Sequence, residues 1–178
     1  FNHETSNLAN RLSVEECGEV IKQIALGDEE YQKAIMAPDF VERCSQNCFN
    51  PERRLCGVGI SSCCMVANGN IYPCAGWQEM VLGNLKETPL QEIWDNSEKI
   101  KWLRGLKMKD LGGGECCKCD KAAFCAPCLV RNANESPTGN PLEINRHFCA
   151  VAAKNKQIVL DWREKKLKEL NKYKTEFA

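Results

Sequence analysis

The sequence predicts a small α+β module in which metal ligation supplements a modest core. Helical signals frame both ends of the chain, an Asn-Gly turn separates two short apolar stretches in the middle, and cysteines recur at spacings that pair their sulfurs. The expected architecture is one or two short hairpins, a helix after the first, a cysteine-rich loop region with little regular structure, and a long terminal helix.

The first element starts at Ser13. The segment SVEECGEVIKQIAL pairs an N-cap serine with Glu16 three residues on, and Val14, Val20, Ile21 and Ile24 recur at helical intervals. A second helix is expected over Glu29 to Met36, ending before Pro38, with cysteine-bearing loop from Phe40 onward. Cys44 and Cys48 lie four apart, so a helix there would put them on one face; two ordinary thiols are the simpler reading.

Residues 63 to 74, CCMVANGNIYPC, read as two strands around Asn68-Gly69, since a two-residue hairpin turn needs positive φ at both central positions. Next, Thr88-Pro89-Leu90-Gln91 supplies a cap, a first-turn proline and a glutamine three after the cap. Leu90, Ile93, Trp94, Ile100 and Leu103 follow at helical spacing, which predicts one helix from about Pro89 to Arg104. Gly112-Gly113-Gly114 then breaks the chain before Cys116. As a phosphate loop those glycines fail, because no Lys-Ser/Thr follows. From about Arg146 a polar helix carries Val151, Ile158, Leu160, Trp162, Leu167 and Leu170 as its stripe, with a solvated face of lysines.

Composition narrows the classes. Lys plus Arg and Asp plus Glu are 24 each, so no global field draws in nucleic acid or an acidic membrane. The chain has no basic n-region followed by an apolar h-region, and no apolar run near the ~18 residues of a membrane span. A cytoplasmic, reducing setting is expected. Thirteen cysteines is an odd count, and a fully paired disulfide scaffold is a poor fit to a chain of this length.

Soft thiolates select zinc, copper or iron–sulfur clusters. Cys116-x2-Cys119 and Cys125-x2-Cys128 are separated by five residues, too few for the two facing knuckles of a zinc ribbon, whose pairs stand ~15 to 20 apart. Four crowded ligands, with Cys56, Cys74 and Cys149 still unused, divide better between two centres.

The whole pattern is Cys56, twelve residues, Gly69, four residues, Cys74, then Cys116-x2-Cys119-x5-Cys125-x2-Cys128, then Cys149. It closely resembles the seven-cysteine SPASM domain, the C-terminal extension of radical SAM enzymes that modify peptides and proteins. The IleTyrProCys hairpin end, Leu82-Gly83-Asn84-Leu85 and Leu90-x-x-Ile93-Trp94 belong to the same resemblance, which covers about residues 44 to 152. One departure is the two residues between Cys125 and Cys128, where that family commonly has three.

The resemblance implies two auxiliary [4Fe-4S] clusters. By motif position Cys56, Cys74 and Cys128 would hold the first, with Cys63 favoured over Cys64 as its fourth ligand and an open iron site as the other option. Cys116, Cys119, Cys125 and Cys149 would hold the second, and Cys117 would be a spectator thiol. Backbone N–H groups of Gly57 to Gly59 and Gly112 to Gly114 are suited to hydrogen-bond the sulfurs.

The CxxxCxxC loop that binds the S-adenosylmethionine-cleaving cluster is absent: Cys44-Ser-Gln-Asn-Cys48-Phe-Asn-Pro51 has proline where the third cysteine must be. The resemblance therefore implies a C-terminal piece of a larger enzyme, with no catalytic residues of its own. Residues 1–43 would be a linker and the last helical element of a radical SAM partial barrel, 44–152 the cluster domain, and 153–178 a terminal helix. Its partners would be that radical SAM domain, which uses S-adenosylmethionine, and a precursor peptide or protein, with no nucleic acid and no membrane. Electron transfer or substrate binding would be its role. The alternative is a zinc-stabilised structural or interaction domain on the same thiolates; a ferredoxin-like carrier lacks the C-x2-C-x2-C-x3-C-P run.

Other residues carry less. His147 beside Cys149 reads as a packing residue, His3 carries no argument, and Asp120 reads as solvated or capping. Asn134-Glu-Ser136 is a glycosylation sequon of little meaning in a cytoplasmic chain.

Overall fold

A computed structural model describes residues 5–47 and 50–176. It is α+β, as expected: one three-stranded antiparallel sheet among helices, with a long helix at the C-terminal end. The chain divides into two compact units. Of the described residues, the first takes in 5–8, 50–117 and 127–145, and the second 9–47, 118–126 and 146–176. Among the described residues no helix is long and apolar enough to cross a membrane.

In the first unit, β1 (Cys64–Met65), β2 (Asn70–Tyr72) and β3 (Gly83–Asn84) pair in that order, with Cys64 opposite Tyr72 and Ile71 opposite Gly83. The hairpin turn is one residue longer than the sequence predicts. Val66 N–H donates to the Asn70 carbonyl (3.1 Å) and Gly69 N–H to the Val66 carbonyl (2.9 Å), so the loop is Ala67-Asn68-Gly69 with Gly69 at φ 92°. A left-handed glycine at the last loop position is a common way for three-residue hairpins to close. Asn84 locks it, its Nδ2 donating to Asn70 Oδ1 at 2.8 Å.

The single helix expected after Pro89 is two, α4 (Leu90–Asn96) and α5 (Glu98–Gly105). Ser97, extended at ψ 120°, ends one and begins the next. The Thr88 cap does not form; Pro89 is the N-cap residue, without a side-chain bond, and Gln91 reaches Asp95 at 2.5 Å instead. The bend serves burial, since Ile93, Ile100 and Leu103 all become buried. Ile93 lies so close to Gly83 that a Cβ there would stand 2.8 Å from it. Leu55, Trp77, Leu106, Met108 and Leu111 join Leu103 in the core, completed by Leu129, Val130 and Ala133. The last three lie on α6 (Leu129–Glu135), a helix in a stretch the sequence reads as irregular. Its signal is only seven residues long and is obscured by the cysteines before it.

Between α5 and α6, residues 108–118 form two short 3-10 turns interrupted at 111–114, where Gly112, Gly113 and Gly114 have φ of 57°, 61° and 87°. This is the break the glycines predict. Gly112 N–H donates to the Leu142 carbonyl at 2.8 Å, and a Cβ on it would stand 2.2 Å from Ile144 Cδ1.

In the second unit, α1 (Val14–Ile24) begins with the expected capping box, Ser13 N–H donating to Glu16 at 2.8 Å and Glu16 N–H to Ser13 Oγ at 3.2 Å. This arrangement holds the Glu16 carboxyl below the usual carboxylate range. α2 (Glu29–Met36) occupies its predicted span, capped by Asp28. The loop expected from Phe40 is a helix, α3 (Phe40–Asn47). Arg43 pairs with Asp39 at 3.0 Å and Gln46 with Glu42 at 3.0 Å, both at i,i+4, and such pairs support a short helix whose residues lack strong propensity.

α7 (Arg146–Glu176) is the long terminal helix. Its burial is carried by Ala152, Ile158 and Val159, while Leu170 of the expected stripe is exposed. Gly18 of α1 packs against Lys154 and Ile158. Arg163 donates to the carbonyls of Ile35 (2.9 Å) and Ala37 (3.3 Å), satisfying groups left open at the end of α2.

Candidate metal centre

Each unit assembles part of the cysteine set. In the first, Cys74 ends the hairpin after the buried Pro73, Cys128 is the N-cap residue of α6, and Cys116 and Cys117 close the segment after the glycines. All four are half-buried and pack against the apolar core formed by Leu55, Trp77, Leu111, Leu129 and their neighbours. Gly76 explains how the Cys74 turn and α6 approach. A Cβ there would stand 3.1 Å from Val130 and 4.0 Å from Cys74 Sγ, and Asn134 Nδ2 donates to the Gly76 carbonyl at 3.4 Å. The asparagine of the sequon is thus a helical residue bonded to this turn.

Cys56 and Cys63 are exposed; Cys64, in β1, is half-buried. Of the glycine N–H groups expected to face sulfur, Gly112 is bonded to Leu142 and Gly59 to Ser62 (3.2 Å), so these two serve the loops themselves.

In the second unit, Cys119 and Cys125 flank a 3-10 turn at 122–124, and Cys149 sits in the first turn of α7. Burial, and then the neighbouring Cys149 and Cys119, push the Cys125 thiol up. The three sulfurs therefore share one electrostatic neighbourhood although Cys149 is 24 residues beyond Cys125 in sequence. Phe40 of α3 meets Phe124 edge-on, ring centres 6.3 Å apart, and so fixes the turn that precedes Cys125. Lys121 lies in the same field. Its ammonium is raised first by Asp120, with Cys119 and Cys149 contributing.

Asp120 is exposed, as expected, and its carboxylate is engaged by two lysines. Its carboxylate accepts from Lys121 and from Lys156 of α7, each at 2.6 Å, and these bonds lower it to about 2. His147 packs its ring edge-on against Phe148 at 5.7 Å, in line with a packing role. Cys44, on α3, stands near the Tyr31 phenol, which burial and that thiol push up. The pairing of Cys44 with Cys48, and His3, lie outside the described residues.

Polar contacts order the last segment of the first unit. Glu143 accepts from Ser136 and, at 2.9 Å, from Thr138, while Asn145 donates to Glu135 at 2.7 Å. Nothing in the sequence pattern marks these residues, because hydrogen-bond networks have no period.

Whether the residues fit a metal group turns on donor type and spread. Among the described residues no three Cys, His, Asp or Glu side chains converge closely enough to hold a single ion. Zinc needs four ligands at about 2.0–2.3 Å from one point. An iron–sulfur cluster interposes its own iron and sulfide between thiolates, so its ligands stand farther apart. The soft thiolate donors present suit either group.

Comparison with known proteins agrees with that chemistry. Residues 56–129 match the profile of the SPASM iron–sulfur cluster-binding domain. The chain is similar to AdoMet-dependent heme synthases from Methanosarcina barkeri (33% identity over 88 residues), Nitratidesulfovibrio vulgaris (32% over 83) and Oleidesulfovibrio alaskensis (33% over 78). These alignments take in 49%, 47% and 44% of this chain but only 24%, 22% and 19% of those proteins. No solved structure matches.

Proposed function

We propose that this chain is the auxiliary iron–sulfur module of a radical SAM enzyme, holding two [4Fe-4S] clusters that serve electron transfer and orient the substrate. The observation that carries it is the match of residues 56–129 to the SPASM iron–sulfur cluster-binding domain, with the 2.6 Å contact of Lys156 and Asp120 bringing the Cys119 loop against the helix of Cys149. When bound, such clusters supply one-electron transfer.

By motif position, Cys119, Cys125 and Cys149 hold one cluster with Cys116, three residues before Cys119. Cys56, Cys74 and Cys128 hold the other, with Cys63 or Cys64 as the fourth ligand. Residues of the chain set the environment. The core around Leu111 and Leu129 limits water at Cys74, Cys116 and Cys128. The burial that favours the neutral Cys125 thiol means that loading must displace a proton there.

The radical SAM domain and S-adenosylmethionine belong to the partner that would act on the substrate. The names of the matched relatives favour a tetrapyrrole in that role. A peptide substrate is the second reading, supported by the family resemblance of the cysteine spacing.

The test is iron, acid-labile sulfide and zinc content of protein purified without oxygen, with visible spectra before and after dithionite. Roughly eight iron and eight sulfide per chain, with a band bleached on reduction, is the expected result for two four-iron clusters. Zinc without sulfide would overturn the proposal and leave a structural zinc domain.

A further inference from the structure

In the first unit, residues 51–54 run antiparallel to 107–109. Met108 N–H donates to the Arg53 carbonyl at 2.8 Å and Lys109 N–H to the Pro51 carbonyl at 3.1 Å, and Arg54 stands directly opposite Lys107. Directly opposed residues of an antiparallel pair place their Cβ atoms about 5 Å apart on one face, and like charges so placed are destabilising.

Nearby cations are compensated. Lys109 pairs with Glu52 at 2.5 Å, while Arg104 donates to the Gly59 carbonyl at 2.8 Å and lies 4.9 Å over the Trp94 ring. The other local carboxylate, Asp110, accepts from the backbone N–H of Lys107 at 2.8 Å. Among the described residues no carboxylate pairs with the side chain of Arg53, Arg54 or Lys107. Residues 51–54 and 107–109 carry four cations against one carboxylate, Glu52, in a chain of zero formal charge. Arg54 is exposed, Lys107 half-buried, and Cys56 follows Arg54 by two residues.

We propose that Arg54 and Lys107 form an anion site for a carboxylate of the substrate. The inference rests on the reading of this chain as the module of an enzyme acting on a tetrapyrrole, whose side chains include carboxylates. An arginine fork beside a lysine point charge suits a carboxylate, the first for bidentate bonding and the second for charge. An anion bound there would relieve the repulsion that the fold otherwise carries.

The experiment titrates the cluster-loaded chain with metal-free protoporphyrin, followed by fluorescence at low salt, and with its dimethyl ester, which lacks the charges. Arg54→Gln and Lys107→Gln are each expected to weaken binding of the acid about tenfold, the loss of one charge-assisted hydrogen bond. Binding of the ester should be weak and unchanged by either substitution, while Arg54→Lys should retain part of the affinity. Iron content should hold, and the thermal midpoint of Arg54→Gln should hold or rise, because the opposed charge is gone. Equal affinity of wild type and variants, equal binding of acid and ester, or no binding by the wild type would overturn the site. Iron content separates the two ideas: loss of sulfide and iron from the wild type refutes the cluster reading, whereas full loading with unchanged porphyrin affinity refutes only the anion site.

Discussion

Lys156 lies 2.6 Å from the Asp120 carboxylate, tying the loop that carries Cys119 to the helix that carries Cys149. Lys156 is seven residues beyond Cys149, two helical turns on, so both occupy one face of α7. Lys121 holds the same carboxylate from the loop side. Asp120→Asn removes both ion pairs and is expected to loosen the Cys119–Cys149 spacing, lowering iron retained under chelator challenge while leaving helicity intact. Anaerobic iron assay alongside circular dichroism checks it; unchanged retention would show that the clasp is incidental. Salt should shrink the effect, since Asp120 is exposed.

The same clasp sets a pH dependence. The folded Asp120 carboxyl, at about 2, lies below the ordinary value of 3.8, so its contribution is complete above about pH 4 and is lost as pH falls through 2. Any difference in thermal midpoint between wild type and Asp120→Asn should therefore be constant at higher pH and vanish toward pH 2.

Gly112→Ala tests the glycine break. The new Cβ meets Ile144 at 2.2 Å and the backbone is left-handed at φ 57°, so a loss of about 2 kcal/mol or more is expected by thermal or urea unfolding. Combining it with Ile144→Ala should relieve the clash and leave the backbone strain, so a full rescue would contradict the role given to φ.

Serine substitutions sort the ligands. Cys125→Ser is expected to halve iron content to about four per chain, as loss of one of two four-iron clusters requires, whereas Cys117→Ser should leave it whole. Cys63→Ser and Cys64→Ser read out the fourth position of the other cluster. If neither changes the spectrum, that cluster has an iron free of protein thiolate.

Chelation with reductant should disorder the stretch between Cys56 and Cys149, because metal binding supplies folding free energy to small cysteine-rich modules. Amide hydrogen exchange checks this: protection should fall there while α1 keeps its own. Unchanged protection at Ile71 and Ile93 would show that the apolar core of the first unit suffices.

The sequence by itself determined the local elements and the chemistry of the donors. The capping box at Ser13 and Glu16, the span of α2, the hairpin around Gly69, the glycine break and the terminal helix all follow from signals a few residues long. Fixed cysteine spacings carried the SPASM resemblance, which the profile match over residues 56–129 supports. Tertiary structure decided what local signals do not encode. The split at Ser97 follows from the need to bury Ile93, Ile100 and Leu103, and α3 is supported by the Arg43–Asp39 ion pair and by the meeting of Phe40 with Phe124, 84 residues away. The double use of Asp120, the grouping of Cys149 with Cys119 and Cys125, and the opposition of Arg54 and Lys107 are likewise products of packing. Periodicity and spacing report a residue's own segment; partners from distant segments are chosen by burial and hydrogen bonding, which exist only once the chain has folded.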